Sequence, residues 1–282
     1  MIYLGTSGFK YEEWRGPFYP VRLPEKEWLP YYAQHFNALE INSTYYRLMH
    51  PAAFYKMAQK VPEGFLFTVK AHRTLTHEIG AASEADLSAL LNSLRPLQEA
   101  NKLGCLIAQF PNSFRRSPKS LSYLASLRQR CRDLPLAIEF RHKGWAGQET
   151  FHFLQEQGMA FVCVDEPQFP SLMPPVAVAT ADFAYLRFHG RNYQTWWKSG
   201  EEGRRYDYLY PEEELKEWVP KIEGLDAQAK RLFLFMNNHF GGKATTNGLM
   251  LAKMLKERLG TLAPPAPSPQ SAQASLPMDP AR

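Results

Sequence analysis

The amino-acid sequence predicts an α/β fold, namely a single-domain (β/α)8 barrel of the TIM type. Eight short apolar runs recur along residues 2–238, and each ends in polar or charged residues. Segments with helical periodicity separate the runs, so strand and helix alternate through most of the chain. The length of 282 residues suffices for one large domain with a substantial core. An open sheet with fewer strands is the alternative fold.

The eight runs are typical of parallel strands buried on both faces, because helices cover the outer face of a barrel strand and the interior receives the other. The predicted strands comprise residues 2–6, 39–42, 65–70, 106–109, 136–141, 161–165, 185–189 and 232–238.

Helical signals lie between these strands. Pro51 suits the first turn of a helix, and Ser83 can cap a helix whose next residues are acidic. Leu121, Leu124 and Leu127 recur at the spacing of one apolar helix face. The predicted helices comprise residues 25–35, 51–60, 83–98, 117–131, 150–157, 211–223 and 247–259.

The C-terminal segment differs in composition from the rest of the chain. Residues 261–282 are rich in Ala, Pro, Ser and Gln and contain almost no large apolar side chain. Such a segment cannot bury enough apolar surface to offset its ordering entropy, so we predict a disordered tail. Residues 1–260 form the predicted barrel domain.

The charge balance is modestly basic, with a formal net charge of +5 and a pI of about 9.0. This balance fits an ordinary solvated surface. It also suits a phosphate-bearing small molecule or a nucleic acid as partner, since both are anionic and bind a basic surface. The sequence does not indicate an oligomeric state.

The cysteines bear on the cellular compartment. Cys105, Cys131 and Cys163 lack the spacing of a metal site or a redox motif, so we expect buried, reduced side chains. The chain begins with a strand, which leaves no room for a signal peptide. No stretch reaches the ~18 apolar residues of a membrane span. We therefore expect a cytoplasmic protein with no membrane partner.

Polar residues concentrate at the ends of the predicted strands, where an α/β barrel keeps its active site. Alternate residues of a strand point to opposite faces, so these residues can be sorted against their apolar neighbours. The side chains assigned to the interior in this way are Glu40, Asn42, Lys70, His72, Glu139, Arg141, Asp165, Arg187, His189 and Arg191.

So many charges in one interior have two explanations. Burial of charges is costly unless they pair or contact a ligand, so the first explanation is a structural network of ion pairs. A functional pocket is the other, and we favour it because barrel interiors are normally apolar layers. In that pocket Glu40, Glu139 and Asp165 are candidate catalytic acids or bases. His189 is a candidate proton carrier.

Ligand-binding roles are predicted from charge, hydrogen-bonding capacity and ring faces. Cations would hold anionic groups and amides would orient the ligand, while aromatic rings would stack on a base or sugar unless they merely cover helix ends. The candidate ligand-binding residues are Asn42, Tyr45, Lys70, His72, Gln109, Arg141, Trp145, Arg187, Arg191, Trp197, Asn238 and Lys243.

The segment 237–247, between the last strand and the last helix, is a candidate phosphate loop. Barrels often hold phosphate here on glycine amides and a helix N-terminus, and Lys243 would add a point charge. The alternative is that one of residues 245–247 simply caps the helix.

No complete catalytic or cofactor motif is present. The HExxH, GxSxG and dinucleotide patterns are missing, and no cofactor is evident. A divalent metal remains an option on Glu40, Glu139, Asp165 and His189, which would suit manganese, magnesium or zinc. The neighbouring cations would compete with a metal for this space.

Six motifs, in this order, resemble those of the YecE-like proteins, the bacterial and archaeal family known as domain of unknown function 72. They are 5–9 (GTSGF) with Trp14, 40–46 (EINSTYY), 67–71 (FTVKA), 109–111 (QFP), 139–141 (EFR) with Trp145, and 187–191 (RFHGR). The resemblance covers residues 2–259 and implies a TIM-type barrel. The family is similar to endonuclease-IV-like and sugar-isomerase-like barrels, which suggests nucleic-acid handling without an established activity. The histidine-rich metal cluster of endonuclease-IV-like barrels is not visible.

Our leading hypothesis is an enzyme or enzyme-derived barrel that binds a phosphate-bearing ligand, nucleotide or nucleic acid at its C-terminal mouth. If it is an enzyme, a phosphoester or glycosidic hydrolase is slightly favoured. The alternatives are a non-catalytic nucleic-acid-binding barrel and a metal-dependent hydrolase or isomerase of sugar-like substrates.

Overall fold

The computed structural model describes residues 1–81, 83–131, 134–198 and 204–259, with side chains of the last helix as far as residue 255. The predicted tail, 261–282, lies outside these described residues. Within them, no helix is both long and apolar enough to cross a bilayer.

Eight parallel strands form one sheet in the described part of the chain, as predicted. They are β1 Ile2–Thr6, β2 Ala38–Ile41, β3 Leu66–Lys70, β4 Leu103–Gln109, β5 Leu136–Glu139, β6 Ala160–Asp165, β7 Phe183–Phe188 and β8 Arg231–Met236. Their order is β1-β8-β7-β6-β5-β4-β3-β2, so the sheet curls until its two end strands, β1 and β2, meet. This is the (β/α)8 barrel of the TIM type.

Helices connect the strands on the outside of the barrel. They are α1 Trp28–Tyr32, α2 Pro51–Ala58, α3 Ser83–Glu99, α4 Pro118–Cys131, α5 Gln148–Glu156, α6 Glu212–Lys216, α7 Val219–Gln228 and α8 Lys243–Leu259.

Several of these elements differ from the sequence prediction, and the helix predicted over 25–35 is only α1, Trp28–Tyr32. The helix predicted over 211–223 is two helices, since α7 starts afresh with a proline in its first turn. α8 begins at Lys243 rather than at residue 247. β4 starts at Leu103 instead of residue 106 and includes Gly104. Glycine is typical of a strand break, but close packing requires a residue without a side chain at this position. A Cβ at Gly104 would lie 2.9 Å from the ring of Phe233.

The seam between β1 and β2 is closed by side chains instead of a regular ladder. The Leu4 amide donates to Asn37 Oδ1 at 2.7 Å. The Thr6 amide donates to the Tyr32 hydroxyl at 2.7 Å, and this hydroxyl donates to the Ala38 carbonyl at 3.0 Å. Two side chains therefore take the place of strand-to-strand hydrogen bonds.

A single bridge between Ser7 and Glu40 continues the seam at the C-terminal end of the barrel. The Gly8 amide donates to the Glu40 carbonyl there at 2.8 Å. The approach of the backbones needs a glycine at position 5, because a Cβ would lie 2.0 Å from the Ala38 carbonyl oxygen.

Aromatic rings fill the barrel below its C-terminal mouth. Phe233 stacks on Tyr3 with ring centroids 5.2 Å apart, and Tyr185 lies 5.8 Å from Phe233 and 5.3 Å from Phe235. All four side chains are buried. The polar residues at the strand ends therefore rest on a dry, apolar floor, where charges attract more strongly than in water.

Candidate active site

Arg187 of β7 lies at the centre of a buried charge cluster. Its Nη2 donates to Glu40 Oε1 at 2.6 Å and its Nη1 to Glu139 Oε2 at 2.5 Å. Nη2 also lies 3.3 Å from Ser7 Oγ, and the second oxygen of Glu40 accepts a hydrogen bond of 2.6 Å from the Tyr185 hydroxyl. Strand alternation predicted correctly that Glu40, Glu139 and Arg187 share the interior.

Glu139 has two further partners. Arg141 Nε lies 2.7 Å from Glu139 Oε1 without the alignment of a hydrogen bond, and His189 Nε2 lies 3.1 Å from the same oxygen. Burial alone would raise the pKa of Glu139, but Arg187, Arg141 and His189 hold it well below its usual range. This carboxylate is therefore ionised.

His189 is a neutral imidazole. Burial, followed by the charge of Arg141, lowers its pKa to about 3. Asn237 Nδ2 lies 2.9 Å from His189 Nδ1. An amide NH2 can only donate, so Nδ1 accepts and Nε2 carries the proton that it shares with Glu139. His189 is poised to donate from Nε2 without carrying charge.

Lys70, the last residue of β3, brings an amine to the mouth. Its Nζ donates to Gln109 Oε1 at 2.9 Å and lies 4.5 Å from the ring centroid of Tyr45. Burial and, next, the charge of Arg187 lower the pKa of Lys70 to about 7. The residue as a whole is partly exposed.

Glu166 is a member of the cluster that the sequence reasoning missed. Its Oε2 accepts from Arg141 Nη1 at 3.0 Å and its Oε1 from the Met173 amide at 3.1 Å. Burial raises the pKa of Glu166 to about 7, although the charge of Arg141 acts to lower it. It lies one residue beyond the predicted strand, and the acidic pair Asp165-Glu166 was the available signal.

Asp165 and Arg191 lie outside the barrel interior, which corrects the prediction for both. β6 pairs Val164 with Arg187 and Asp165 with Phe188, so Asp165 shares the outer face with Phe188. Arg191 Nη2 donates to Asp165 Oδ2 at 2.7 Å.

Two more donors complete the shell of Asp165. The Tyr210 hydroxyl lies 2.6 Å from its Oδ1 and the Trp218 indole nitrogen 2.7 Å from its Oδ2. Asp165 is thus a buried anchor for the segment after β7. Of the four side chains considered for a divalent metal, Glu139 and His189 are in contact but Asp165 lies on the other face of the sheet. Within the described ranges no three His, Cys, Asp or Glu side chains are grouped to hold a metal.

Two of the predicted stacking residues contact other rings of the chain. Trp145 is fully buried and stacks on Phe140 with centroids 4.1 Å apart, so no ligand reaches it. Trp197 is 57% exposed and lies against Phe169, at 5.9 Å. Tyr45 is the one of the three that lies beside the charge cluster, under Lys70.

The remaining predicted polar residues have mixed placements. His72 Nδ1 lies 2.9 Å from Thr74 Oγ1, on the side of α3 rather than over the cluster. Asn238 is buried and donates to the Tyr208 carbonyl at 2.8 Å, which makes it structural. Asn42 is half-buried, and its Oδ1 has no hydrogen-bond partner among the described residues.

The predicted phosphate loop already holds carboxylates of the chain itself. Lys243 pairs with Asp207, and the Gly241 amide donates to Glu13 Oε1 at 3.2 Å. Gly241 and Gly242 have the positive φ expected of such a loop, at 58° and 79°. Its anion-binding groups are therefore engaged within the chain.

Further rings line the mouth beyond Tyr45. Tyr11 stacks on His239, with centroids 4.6 Å apart and planes 4° from parallel. Tyr206 lies 5.8 Å from His239 and 6.1 Å from His189. This aromatic rim can hold a flat or sugar-like portion of a ligand above the charge cluster.

Comparison with known proteins identifies the family. A family profile described as "Protein of unknown function DUF72" matches residues 3–272. The chain belongs to the DUF72 family. This confirms the YecE-like resemblance, and the match continues past residue 259, where we expected it to end.

Curated relatives within the DUF72 family include two bacterial proteins. The chain is 31% identical over 279 residues to UPF0759 protein YunF of Bacillus subtilis (strain 168), which covers 94% of this chain and 98% of that protein. It is 28% identical over 219 residues to UPF0759 protein YecE of Escherichia coli (strain K12), covering 69% and 76%.

Solved structures of DUF72 family proteins share the fold. One from Thermotoga maritima MSB8 aligns with a TM-score of 0.84 at 40% identity, covering 91% of this chain and 99% of that one. Another, from Enterococcus faecalis V583, aligns with a TM-score of 0.82 at 29% identity, covering 91% and 96%. The barrel is thus common to the family.

Proposed function

We propose that the protein is an enzyme that binds a phosphate-bearing organic ligand at the C-terminal mouth of its barrel. One observation carries this proposal: within the charge cluster, the groups that are not fully buried are positive. Glu40, Glu139 and Glu166 are fully buried, whereas the Arg141 side chain is 12% exposed and Lys70 is partly exposed. A ligand at the mouth therefore meets an ammonium and a guanidinium, with the carboxylates beneath them.

A nearby histidine supports a positive potential at the mouth. Burial, then the charges of Lys70 and Arg141, lower the pKa of His77 to about 4. His77 contacts the ring of Tyr45 at 5.1 Å, so this potential extends to the rim. Arg141 suits a phosphate because a planar guanidinium can donate two parallel hydrogen bonds, and its side chain is 12% exposed although Nε faces Glu139 and Nη1 faces Glu166.

The acid–base half of the proposal rests on two groups that titrate near neutrality. The pKa of Lys70 is lowered to about 7 and that of Glu166 is raised to about 7. Groups whose pKa lies near the working pH are the most effective proton donors and acceptors. Neutral His189 adds a donor that carries no charge. A phosphoester hydrolase is the reaction class we favour, with Arg141 on the phosphate and Glu166 exchanging protons.

The binding test uses calorimetric titration with ribose 5-phosphate, with ribose as the uncharged comparison. We expect binding of the phosphate ester only, with affinity lowered about tenfold or more in R141Q and largely kept in R141K, consistent with loss of one charge-assisted contact. K243Q is the matched control, because it removes a cation from the predicted phosphate loop. Loss of binding in K243Q with retention in R141Q would move the site to that loop.

The catalytic test follows release of inorganic phosphate from a panel of phosphate esters. E166Q should lose turnover while it keeps affinity, because it removes a titrating group but leaves the cations in place. Equal turnover in E166Q and the unaltered protein would contradict the role of Glu166.

A nucleic-acid ligand is the second candidate, and the exposed rings of Tyr193 and Trp197 favour it. They are 52% and 57% exposed and both lie against Phe169. Bases stack on such rings, and phosphate contacts make affinity fall steeply with salt. Oligonucleotide binding that weakens in W197A and with added salt would support this candidate.

A cytoplasmic location likewise stays a prediction, tested by cell fractionation.

A further inference from the structure

We propose that Lys70 is a nucleophile that forms a Schiff base with the carbonyl group of a small aldehyde or ketone bound at the mouth. The inference deepens the proposed function and rests on it for the ligand's phosphate group. The substrate class is a phosphate ester that also carries a carbonyl, such as an open-chain sugar phosphate.

The position of Lys70 suits an amine that must meet a ligand. Residues 68 and 70 of β3 share the inner face, since the Thr68 hydroxyl lies 2.9 Å from that of Tyr185 in the barrel floor. Lys70 therefore extends inward above this floor, at the C-terminal end of its strand. There Nζ has Tyr45 on one side and Gln109 as its hydrogen-bond acceptor.

The carboxylates that could hold Lys70 as a fixed ammonium are engaged elsewhere. Arg187 is salt-bridged to both Glu40 and Glu139. Arg141 is salt-bridged to Glu139 and Glu166. Lys70 is thus a third cation beside two guanidiniums that between them already pair with each of the three carboxylates.

The neighbouring cations favour the uncharged form of the Lys70 amine. Burial, then Arg187, lower the pKa of Lys70 to about 7, while Glu139 and Glu40 oppose the shift. At neutral pH about half of the Lys70 side chains are then uncharged, and only the uncharged amine attacks a carbonyl. Arg141, partly exposed beside it, is placed to take the phosphate of the same ligand.

The bond changes balance with water as the only by-product. The Nζ lone pair attacks the carbonyl carbon, and one proton passes from nitrogen to oxygen to give a carbinolamine. The hydroxyl takes a second proton from solvent and leaves as water, while the remaining nitrogen lone pair forms the C=N bond of an iminium. No oxidant, reductant or metal is needed.

The test traps this adduct by reduction with cyanoborohydride. Intact protein is incubated with dihydroxyacetone phosphate and the reductant at pH 7, and the modified peptide is mapped by mass spectrometry. We expect one adduct, on Lys70, and none in K70R, which keeps the charge but not the nucleophile. Peptide mapping of the unaltered protein locates the adduct even if K70R fails to fold.

Lys102 offers a matched control. It is another lysine whose pKa burial lowers, but its Nζ donates to the Ala58 and Val61 carbonyls at 2.6 and 2.7 Å, at the opposite end of the barrel. K102R should trap the adduct on Lys70 as the unaltered protein does. Labelling spread evenly over Lys102 and surface lysines would overturn the proposal.

Unphosphorylated dihydroxyacetone separates this inference from the proposed function. Trapping on Lys70 that is equal for both ketones and unchanged in R141Q keeps the Schiff base and removes the phosphate site. Phosphate-ester binding that depends on Arg141, with no adduct on Lys70, keeps the phosphate site and removes the Schiff base. Faster trapping of the phosphorylated ketone, lost in R141Q, supports both.

Discussion

Arg187 holds two carboxylates from different strands, Glu40 at 2.6 Å and Glu139 at 2.5 Å, with one guanidinium that is fully buried. The three side chains carry one positive and two negative charges at the top of the barrel core, and Arg141 brings a second positive charge to Glu139. The stability of this buried unit therefore depends on the pairing and not on any single charge.

Removing the Arg187 guanidinium should strongly destabilise the folded protein. R187M leaves two buried carboxylates without their shared partner, which should lower the free energy of unfolding by about 3–5 kcal/mol. Urea denaturation at pH 7 measures this free energy of unfolding. The control is K10Q, whose ion pair with Glu25 joins side chains that are 61% and 50% exposed and should change stability by about 1 kcal/mol or less. Equal losses in R187M and K10Q would contradict the role of the buried unit.

Glu166 should make stability depend on pH. Its pKa is raised from 4.5 to about 7, so the folded state holds the proton more tightly than the unfolded state. Its contribution is fully present below pH 4.5 and is lost as pH rises to 7, by about 3 kcal/mol in total. The stability of the unaltered protein relative to E166Q should fall by this amount between pH 4.5 and 8 in urea titrations. E99Q, at an exposed helix end, should show no such trend.

His189 should show the opposite pH dependence. Its pKa is lowered from 6.5 to about 3, so its contribution is present above pH 6.5 and lost as pH falls towards 3. Nitrogen-15 NMR should show a neutral ring at pH 5, with the proton on Nε2 and Nδ1 accepting from Asn237. A charged ring at that pH would contradict the buried hydrogen-bond pattern. H189Q should remove this acid sensitivity.

Asp165 should prove structural. D165N replaces an acceptor that faces Arg191, Tyr210 and Trp218 with an amide whose NH2 cannot accept, so we expect a loss of about 2–4 kcal/mol. Calorimetric binding of ribose 5-phosphate should stay unchanged at a temperature where the variant is folded. Loss of binding without loss of stability would return Asp165 to the ligand site.

Anion affinity should rise as the pH falls through 7. Lys70 gains charge and Glu166 loses it over the same range, because both have a pKa of about 7. Sulfate is the suitable probe, since its own charge stays constant there. Calorimetric titrations at pH 6 and 8 measure the change. K70R should flatten the dependence, and an affinity that is flat with pH in the unaltered protein would count against this pair.

The sequence predicts the barrel and the cluster apart from Glu166, because polar residues alternate with apolar ones in most of the strands. Glu40, Glu139 and Arg187 alternate with apolar neighbours, so their inward direction can be read. β6 carries no such signal, because Val162 and Cys163 are both apolar and both faces are buried, and the side of Asp165 was therefore assigned wrongly.

The loops were harder to interpret than the strands. An aromatic residue after a strand is compatible with a ligand site and with packing, and Trp145 packs against Phe140. Lys243 resembled a phosphate ligand, but its partner Asp207 is remote in sequence. Only tertiary contacts distinguish these cases.

The side-chain seam between β1 and β2 makes the barrel unequal around its circumference. A regular ladder opens only when several bonds in register break together, whereas Tyr32 and Asn37 each secure one point. Hydrogen exchange at the Leu4 and Thr6 amides should therefore be faster than at the amides paired within the ladders of β6, β7 and β8. Glu40 borders this seam through its bridge to Ser7, whereas Glu139 pairs with Gln109 in a regular ladder, so we expect faster exchange of backbone amides beside Glu40 than beside Glu139.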